Sequence, residues 1–239
     1  MLTKPKLKID WATHEAAKFS CEQWHYSKTM PVPPIVKIGV WEDEKFIGVV
    51  LFSRGASPDL LKPYGLSQYE GCELTRVALS NHVTPVSRIL AIAFKYLKSS
   101  NEKLKLIVSF ADQSKGHHGG IYQAGNWVYC GLTSPSVEYW KDGKRWHPRQ
   151  LSEKGYTVQF GAKRRVPKPS ECTKVKVPGK HRYLMSLDQK MKTRIDHLKK
   201  PYPKCAGSKA NVASTFQVEE GGVTPTPALQ DNSDGETSG

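Results

Sequence analysis

The sequence predicts a mixed α/β (α+β) domain, a central mixed sheet flanked by helices with a basic C-terminal region, and three observations carry that prediction. Residues 104–131, LKLIVSFADQSKGHHGGIYQAGNWVYCG, run from an apolar strand, Leu106 to Phe110, into Asp112 and then a glycine-punctuated helix start near His117 to Gly120 that carries Tyr122 and Trp127. The segments VKIGVWE and KFIGVVLFSRG flank the charged turn Glu42 to Lys45 and read as an antiparallel hairpin. Pro85 opens an amphipathic helix reaching Lys98, with Val86, Ile89, Leu90, Ile92, Ala93, Phe94 and Leu97 on its apolar side. Ligands in open mixed sheets gather at strand ends, so the carboxyl end of the Leu106–Phe110 strand is the first place to look for a site.

The remaining elements follow the chain. Thr13 offers an N-cap to a helix running to His25, with Ala16, Ala17, Phe19, Cys21 and Trp24 available to cover a sheet, and the segment MPVPP ends it. CELTRVALS reads as a strand from Glu73 to Leu79; YWKDGKRWH reads as a hairpin turning at Asp142 and Gly143, and KHRYLMSL as a final strand. The order is helix, hairpin, strand, helix, strand, helix, strand. It resembles the core order of GNAT-type acyltransferases, so a GNAT-like fold is expected.

Composition narrows the functional classes. The chain has 239 residues with 38% hydrophobic content, enough for one good core, and no apolar run approaches a membrane span. The N-terminus has basic residues but no apolar stretch or cleavage site after them, so the expected location is a cytoplasm. Cys21, Cys72, Cys130, Cys172 and Cys205 are widely spaced and form no CxxC pair, which argues for reduced thiols over a disulfide framework or a zinc ribbon. Residues 141–205 hold 19 Lys+Arg against 5 Asp+Glu, interleaved with Tyr139 and Trp140 just before and Trp146, Tyr156, Phe160, Tyr183 and Tyr202 within. Cations for phosphates beside flat rings for bases point to nucleic acid. Three parts result: a catalytic core over 1–140, a basic part of the same domain over 141–205 that completes the sheet and contacts DNA, and an acidic tail over 206–239. The tail's Gly, Ser, Thr, Pro and acids cannot offset their ordering entropy, so it is expected to be disordered.

A closer resemblance rests on four segments: PKLKIDWATHEAAKFSCEQWHYSKTMPVPPIVKIGVWE, ELTRVALSNHVTPVSRILAIAFKYLK, LIVSFADQSKGHHGGIYQAGNWVY and GKHRYLM. Together they resemble the Mom family of phage Mu and its relatives, over about residues 1–205. The resemblance implies an enzyme of phage DNA modification, converting the exocyclic N6 of adenine to a carbamoylmethyl (acetamido) derivative that protects phage DNA from host restriction in the host cytoplasm. Adenine N6 is a weak nucleophile, its lone pair delocalised into the ring, and in a duplex it is paired. Such an enzyme must extrude the base and remove a proton locally.

The candidate polar centre is Asp112 and His25, as base or metal ligand, with Tyr26 and Tyr122 supplying acid or substrate contacts and Arg76 steadying an anionic intermediate. In GNAT enzymes a Tyr on the helix after this strand often protonates a departing thiolate, which is what the resemblance implies for Tyr122. Plainer roles stand beside these. His25 suits a helix C-cap, Asp112 a turn, His117 and His118 a surface loop, and Tyr122 the core. Double-stranded DNA would be gripped by Lys144, Arg145, Arg149, Lys163, Arg164, Arg165, Lys180 and Arg182.

Cofactor binding is where the sequence departs from the GNAT pattern. The usual Q/R-x-x-G-x-G/A loop lets bare backbone N–H groups hold the pyrophosphate of acetyl-CoA. Here that loop reads SNHVTPVSR, without glycine, leaving Leu79, Thr84, Ser87 and Arg88 as the candidate contacts for acetyl-CoA or another small-molecule donor. Acyl transfer alone cannot make a carbamoylmethyl group. Either the donor differs or a redox step is needed, for which Fe(II) on His25, Asp112, His117 and His118 is the candidate arrangement, with no diagnostic spacing behind it. A GNAT acetyltransferase acting on another amine, and a non-catalytic DNA-binding protein, are the alternative functions.

Overall fold

A computed structural model describes residues 4–204, apart from residues 56, 147 and 160. The expected disordered tail and Cys205 lie outside the described residues. Strand β1 (Leu7–Trp11), which the sequence reading missed, precedes α1 (His14–Trp24), whose first turn is closed by the Thr13 hydroxyl accepting from the Ala16 N–H at 3.1 Å. The predicted hairpin is β2 (Ile35–Glu42) and β3 (Lys45–Ser53), joined at Asp43 and Glu44, both with positive φ as a two-residue hairpin turn requires. Strand β4 (Gly71–Leu79), helix α2 (Val86–Ser100) and strand β5 (Leu106–Ala111) follow as expected.

The next helix is shorter than predicted. Helix α3 (Gly120–Ala124) is a single turn, ended by Gly125 and by Asn126 at φ 58°, so Trp127 stands at the entry to strand β6 (Val128–Leu132) instead of on a helix. Strands β7 (Ser136–Lys141) and β8 (Lys144–Trp146) form the predicted hairpin at Asp142 and Gly143. A second hairpin, β9 (Tyr156–Gln159) and β10 (Ala162–Arg165), and strand β11 (Thr173–Val177), which pairs with β7, were not anticipated. Strand β12 (His181–Ser186) and helix α4 (Gln189–Asp196) complete the described chain.

The main sheet has the strand order β1-β2-β3-β4-β5-β12-β6, antiparallel except between β4 and β5. It is covered on both faces, and the alternation along each strand shows how. Val50, Phe52 and Ile107 pack with Ile89, Leu90, Ala93 and Phe94 of α2, whereas Val49 and Leu51 pack with Ala17 and Cys21 of α1, and Leu106, Val108 and Leu184 with Met191 and Ile195 of α4. Two-sided burial is why these strands read as unbroken apolar runs. On α1 the buried face is Ala17, Ser20 and Cys21, and Phe19, expected in the core, is exposed and meets Trp24 edge-on at 5.2 Å.

Candidate active site

The parallel pair at the centre of the sheet is short. Strands β4 and β5 pair from Gly71 and Leu106 to Leu74 and Ser109 and then part, although β4 runs on to Leu79. A bulge causes the divergence. Against β3, Arg76 faces Leu51 and Leu74 faces Phe52, leaving Thr75 as the extra residue. The bulge also reverses the facing of β4: Leu74 packs under α2, while Ala78, four residues on, packs with α1. Arg76 is thereby turned to the α1 side, where its Nε donates to the Thr29 carbonyl at 3.4 Å and its Nη1 to the Thr75 carbonyl at 2.7 Å.

The crotch of this fork holds Tyr122. Ser109, buried on β5, donates to the Leu74 carbonyl at 2.8 Å, so the Tyr122 hydroxyl, 2.7 Å away, donates to Ser109 Oγ. Burial pushes the Tyr122 phenol up to about 12, with Tyr26 and Glu73 adding in the same direction, so the group is a neutral proton donor at physiological pH. Gly119 sets its approach. At φ 86° a Cβ there would run into the Tyr183 ring, whose hydroxyl donates to the His118 carbonyl.

At the end of α1, the His25 and Tyr26 rings meet at 4.3 Å, tilted by 34°, and Tyr26 meets His117 at 4.7 Å, tilted by 50°. His25 is buried, and Tyr26 is 52% exposed. Desolvation, then the charges of Arg76, His117 and Lys28, lower the His25 pKa to about 3, so the ring is neutral. The Ser27 N–H donates to its Nδ1 at 3.1 Å, which leaves the ring proton on Nε2. His25 is therefore a hydrogen-bond donor at Nε2. His25, Tyr26, His117, Arg76 and Tyr122 thus converge where β4 and β5 part. Ser109 and Glu73 belong beside them and were missed; a serine inside the apolar run LIVSFA was the available signal.

Asp112 is held elsewhere. Its carboxylate caps the turn at Ser114 and pairs with Lys180 at 3.3 Å; burial raises its pKa, but the hydrogen bonds from Ser114 and the Lys180 charge outweigh it and the net shift is downward. His118 acts electrostatically on His181, which bonds Tyr129 at 2.8 Å. Among the described residues no group of three or more His, Cys, Asp or Glu could hold a metal ion. The anticipated set His25, Asp112, His117 and His118 is corrected accordingly: Asp112 is committed to Lys180, and His25 has one nitrogen occupied by Ser27.

The loop that would cradle a donor's pyrophosphate has an occupant. The Glu42 carboxylate accepts the Val83 N–H at 2.8 Å and the Thr84 N–H at 2.7 Å. Burial raises the Glu42 pKa, yet the Thr84 and Val83 hydrogen bonds overcome it, and the carboxyl lies below its usual range. Of the anticipated contacts, Thr84 is buried, Leu79 packs at the core's edge, Arg88 is exposed, and Ser87 lines a cavity of about 720 Å³ with Leu90, Phe94, Trp127 and Met185. That cavity lies along α2, away from the His25, Tyr26 and His117 rings. The residues at the loop do not fit a CoA pyrophosphate.

The basic region separates into free and committed cations. Lys163, Arg164 and Arg165 are exposed on β10, with Lys163 3.9 Å over the Tyr156 ring, and Lys144 lies 4.5 Å over Trp146. Arg145 pairs with Glu138 at 2.8 Å. Of the other anticipated phosphate contacts, Lys180, half exposed, pairs with Asp112, and Arg182, half-buried, reaches the Tyr64 hydroxyl at 3.4 Å. Arg149 falls in a short turn, Pro148–Gln150, and its side chain lies outside the described residues.

The strand order, the parted central strands and the helices on both faces define a GNAT-like mixed α/β protein, the fold expected from the element order. Residues 6–204 match the Mom protein family, and the chain belongs to it. It is 24% identical over 206 residues to "Methylcarbamoylase mom" of Escherichia phage Mu, covering 83% of this chain and 84% of that protein. Solved structures similar to it include an N-acyl amino acid synthase from uncultured soil microbes (9% identity, TM-score 0.44, 81% of this chain and 97% of that one) and a Bacillus subtilis acetyltransferase in complex with CoA (10% identity, TM-score 0.42, 77% and 100%). A putative acetyltransferase from Acinetobacter baylyi is similar at 10% identity and TM-score 0.43, over 79% and 96%.

Proposed function

We propose that this protein is a phage DNA-modification enzyme that places a carbamoylmethyl group on adenine N6 and so protects phage DNA from host restriction, acting in the host cytoplasm. The observation that carries the reading is the convergence of His25, Tyr26, His117, Arg76 and Tyr122 at the parting of β4 and β5, in a chain similar to the Mu protein over 83% of its length.

The chain's own groups have distinct tasks in this reading. Tyr26, half exposed with its ring tilted against those of His25 and His117, offers its exposed side to an extruded adenine, offsetting part of the few kcal/mol that unpairing costs. His25, neutral with its proton on Nε2, donates to a ring nitrogen or to the carbonyl of the incoming group. Arg76 faces charge that develops as the N6–C bond forms and the bond to the departing group breaks, and Tyr122, turning from Ser109, gives its proton to that group and takes up the one that N6 loses, so the N6 proton is balanced on the leaving group. Lys144, Lys163, Arg164 and Arg165, on two small sheets outside the core, hold the flanking phosphates.

The test is expression in bacteria carrying a plasmid, digestion of the plasmid to nucleosides and mass spectrometry, beside a Tyr26→Ala control. A deoxyadenosine heavier by one carbamoylmethyl group, absent from the control, is expected. Unmodified DNA from a folded, DNA-binding protein would return the reading to a binding module.

A further inference from the structure

We infer that Glu42 is the resident anion of the loop between β4 and α2, and that the donor used by this protein is a small molecule without a pyrophosphate handle. The clause about the donor rests on the functional reading above; the assignment of Glu42 does not. Glu42 is the last residue of β2, fixed in register opposite Leu7 on one side and Lys45 on the other. Its two carboxylate oxygens take one backbone N–H each, at 2.8 and 2.7 Å, from Val83 and Thr84. These are loop amides of the kind an acyl-CoA enzyme reserves for phosphate oxygens. The following residue, Pro85, has no N–H to add. A covalently attached carboxylate is present at high effective concentration whatever the concentration of free ligand. It is also 9% exposed and ionised, so a pyrophosphate approaching the same amides would meet a like charge in a poorly solvated place, a juxtaposition that costs several kcal/mol.

The chemistry of the product agrees with this assignment. An acyl group leaving a thioester attaches through its carbonyl carbon and yields an amide, whereas a carbamoylmethyl group attaches through its methylene. A donor of the second kind needs no CoA. Glu42 thus serves two ends: it ties the β2–β3 hairpin to the start of α2, and it closes the loop to polyphosphates.

Equilibrium dialysis of the full-length protein against labelled acetyl-CoA, together with amide NMR during titration with inorganic pyrophosphate, tests the inference. The expected result is no saturable retention of acetyl-CoA up to about 1 mM and no movement of the Val83 and Thr84 amides, while Glu42→Gln gains at least about tenfold in pyrophosphate affinity. Saturable acetyl-CoA binding by the wild-type protein would overturn the donor assignment, and pyrophosphate-dependent shifts centred on Val83 and Thr84 would overturn that of Glu42. Should Glu42→Gln fail to fold, the wild-type titrations decide alone. Nucleoside analysis of plasmid from the same cells is read separately: absence of modified adenine counts against the functional reading and leaves the titration results to judge Glu42.

Discussion

Replacing His25 by Gln should flatten the pH dependence of folding stability on the acid side. In the folded protein His25 is buried beside Arg76, His117 and Lys28, and its pKa lies at about 3, against 6.5 for an ordinary histidine. The unfolded chain takes up a proton as the pH falls through 6.5, and the folded protein refuses it until the pH approaches about 3. Stability from this residue is therefore intact above the unfolded pKa and drains away as the pH drops below it. From about pH 7.5 to about pH 5 the loss is about 2 kcal/mol, since each unit below the unfolded pKa contributes about 1.4 kcal/mol. Urea denaturation at several pH values, for wild type and His25→Gln, isolates the term, because His181 and the carboxylates titrate alike in both proteins. Gln keeps an acceptor for the Ser27 N–H. Parallel stability profiles for the two proteins between those pH values would show that His25 titrates normally, and the neutral donor described above would be wrong.

Tyr122→Phe should cost about 1 kcal/mol of stability for one buried hydrogen bond and at least about 100-fold in adenine modification; lost stability with unchanged modification would assign the phenol to packing alone. Gly119→Ala should destabilise by about 2–4 kcal/mol through positive φ and collision with Tyr183, and a shift in urea midpoint worth under about 0.5 kcal/mol would contradict that geometry. Removing Arg164 and Arg165 together should weaken binding to all duplexes and make the slope of log affinity against log salt shallower by about 2. A loss confined to one sequence context would mean that these residues read bases.

Element type was legible where periodicity was strong, and lost where the chain breaks its own pattern. The β2–β3 hairpin and β5 were readable because burial on both faces writes long apolar runs, β4 because its apolar residues alternate, and α2 because its buried side repeats with the helical period. The length of α3 was misread because Trp127 extends a helix-like spacing that Asn126, at positive φ, interrupts. Strand β10 went unseen since its residues are exposed and cationic, and β9 and β11, four and five residues long, carry too few apolar side chains to stand out. Of the residues that meet at the fork, His25 and Tyr26 were singled out from residue chemistry at an element end, and Tyr122 from the GNAT resemblance. Glu42 and Thr75 were not, because a carboxylate 41 residues from its partner amide and a bulge set by a neighbouring strand are properties of register.

The chain leaves the main sheet after β6 and returns to it at β12, and the two ends of that excursion are bonded to each other. The Thr133 N–H donates to the Lys180 carbonyl at 2.9 Å and the Lys180 N–H to Thr133 Oγ1 at 2.9 Å, with Gly179 packed so closely on Thr133 that no Cβ fits. Residues 134–179 therefore start and finish at one point, like a cassette plugged into a socket. The entropy of closing that loop depends weakly on its length, so the cassette can be lengthened, shortened or exchanged while β12 still docks between β5 and β6. On the function proposed above, its cations could then change with the target DNA while the residues at the fork stay as they are, and grafting a different 134–179 segment between Thr133 and Lys180 would test that separation.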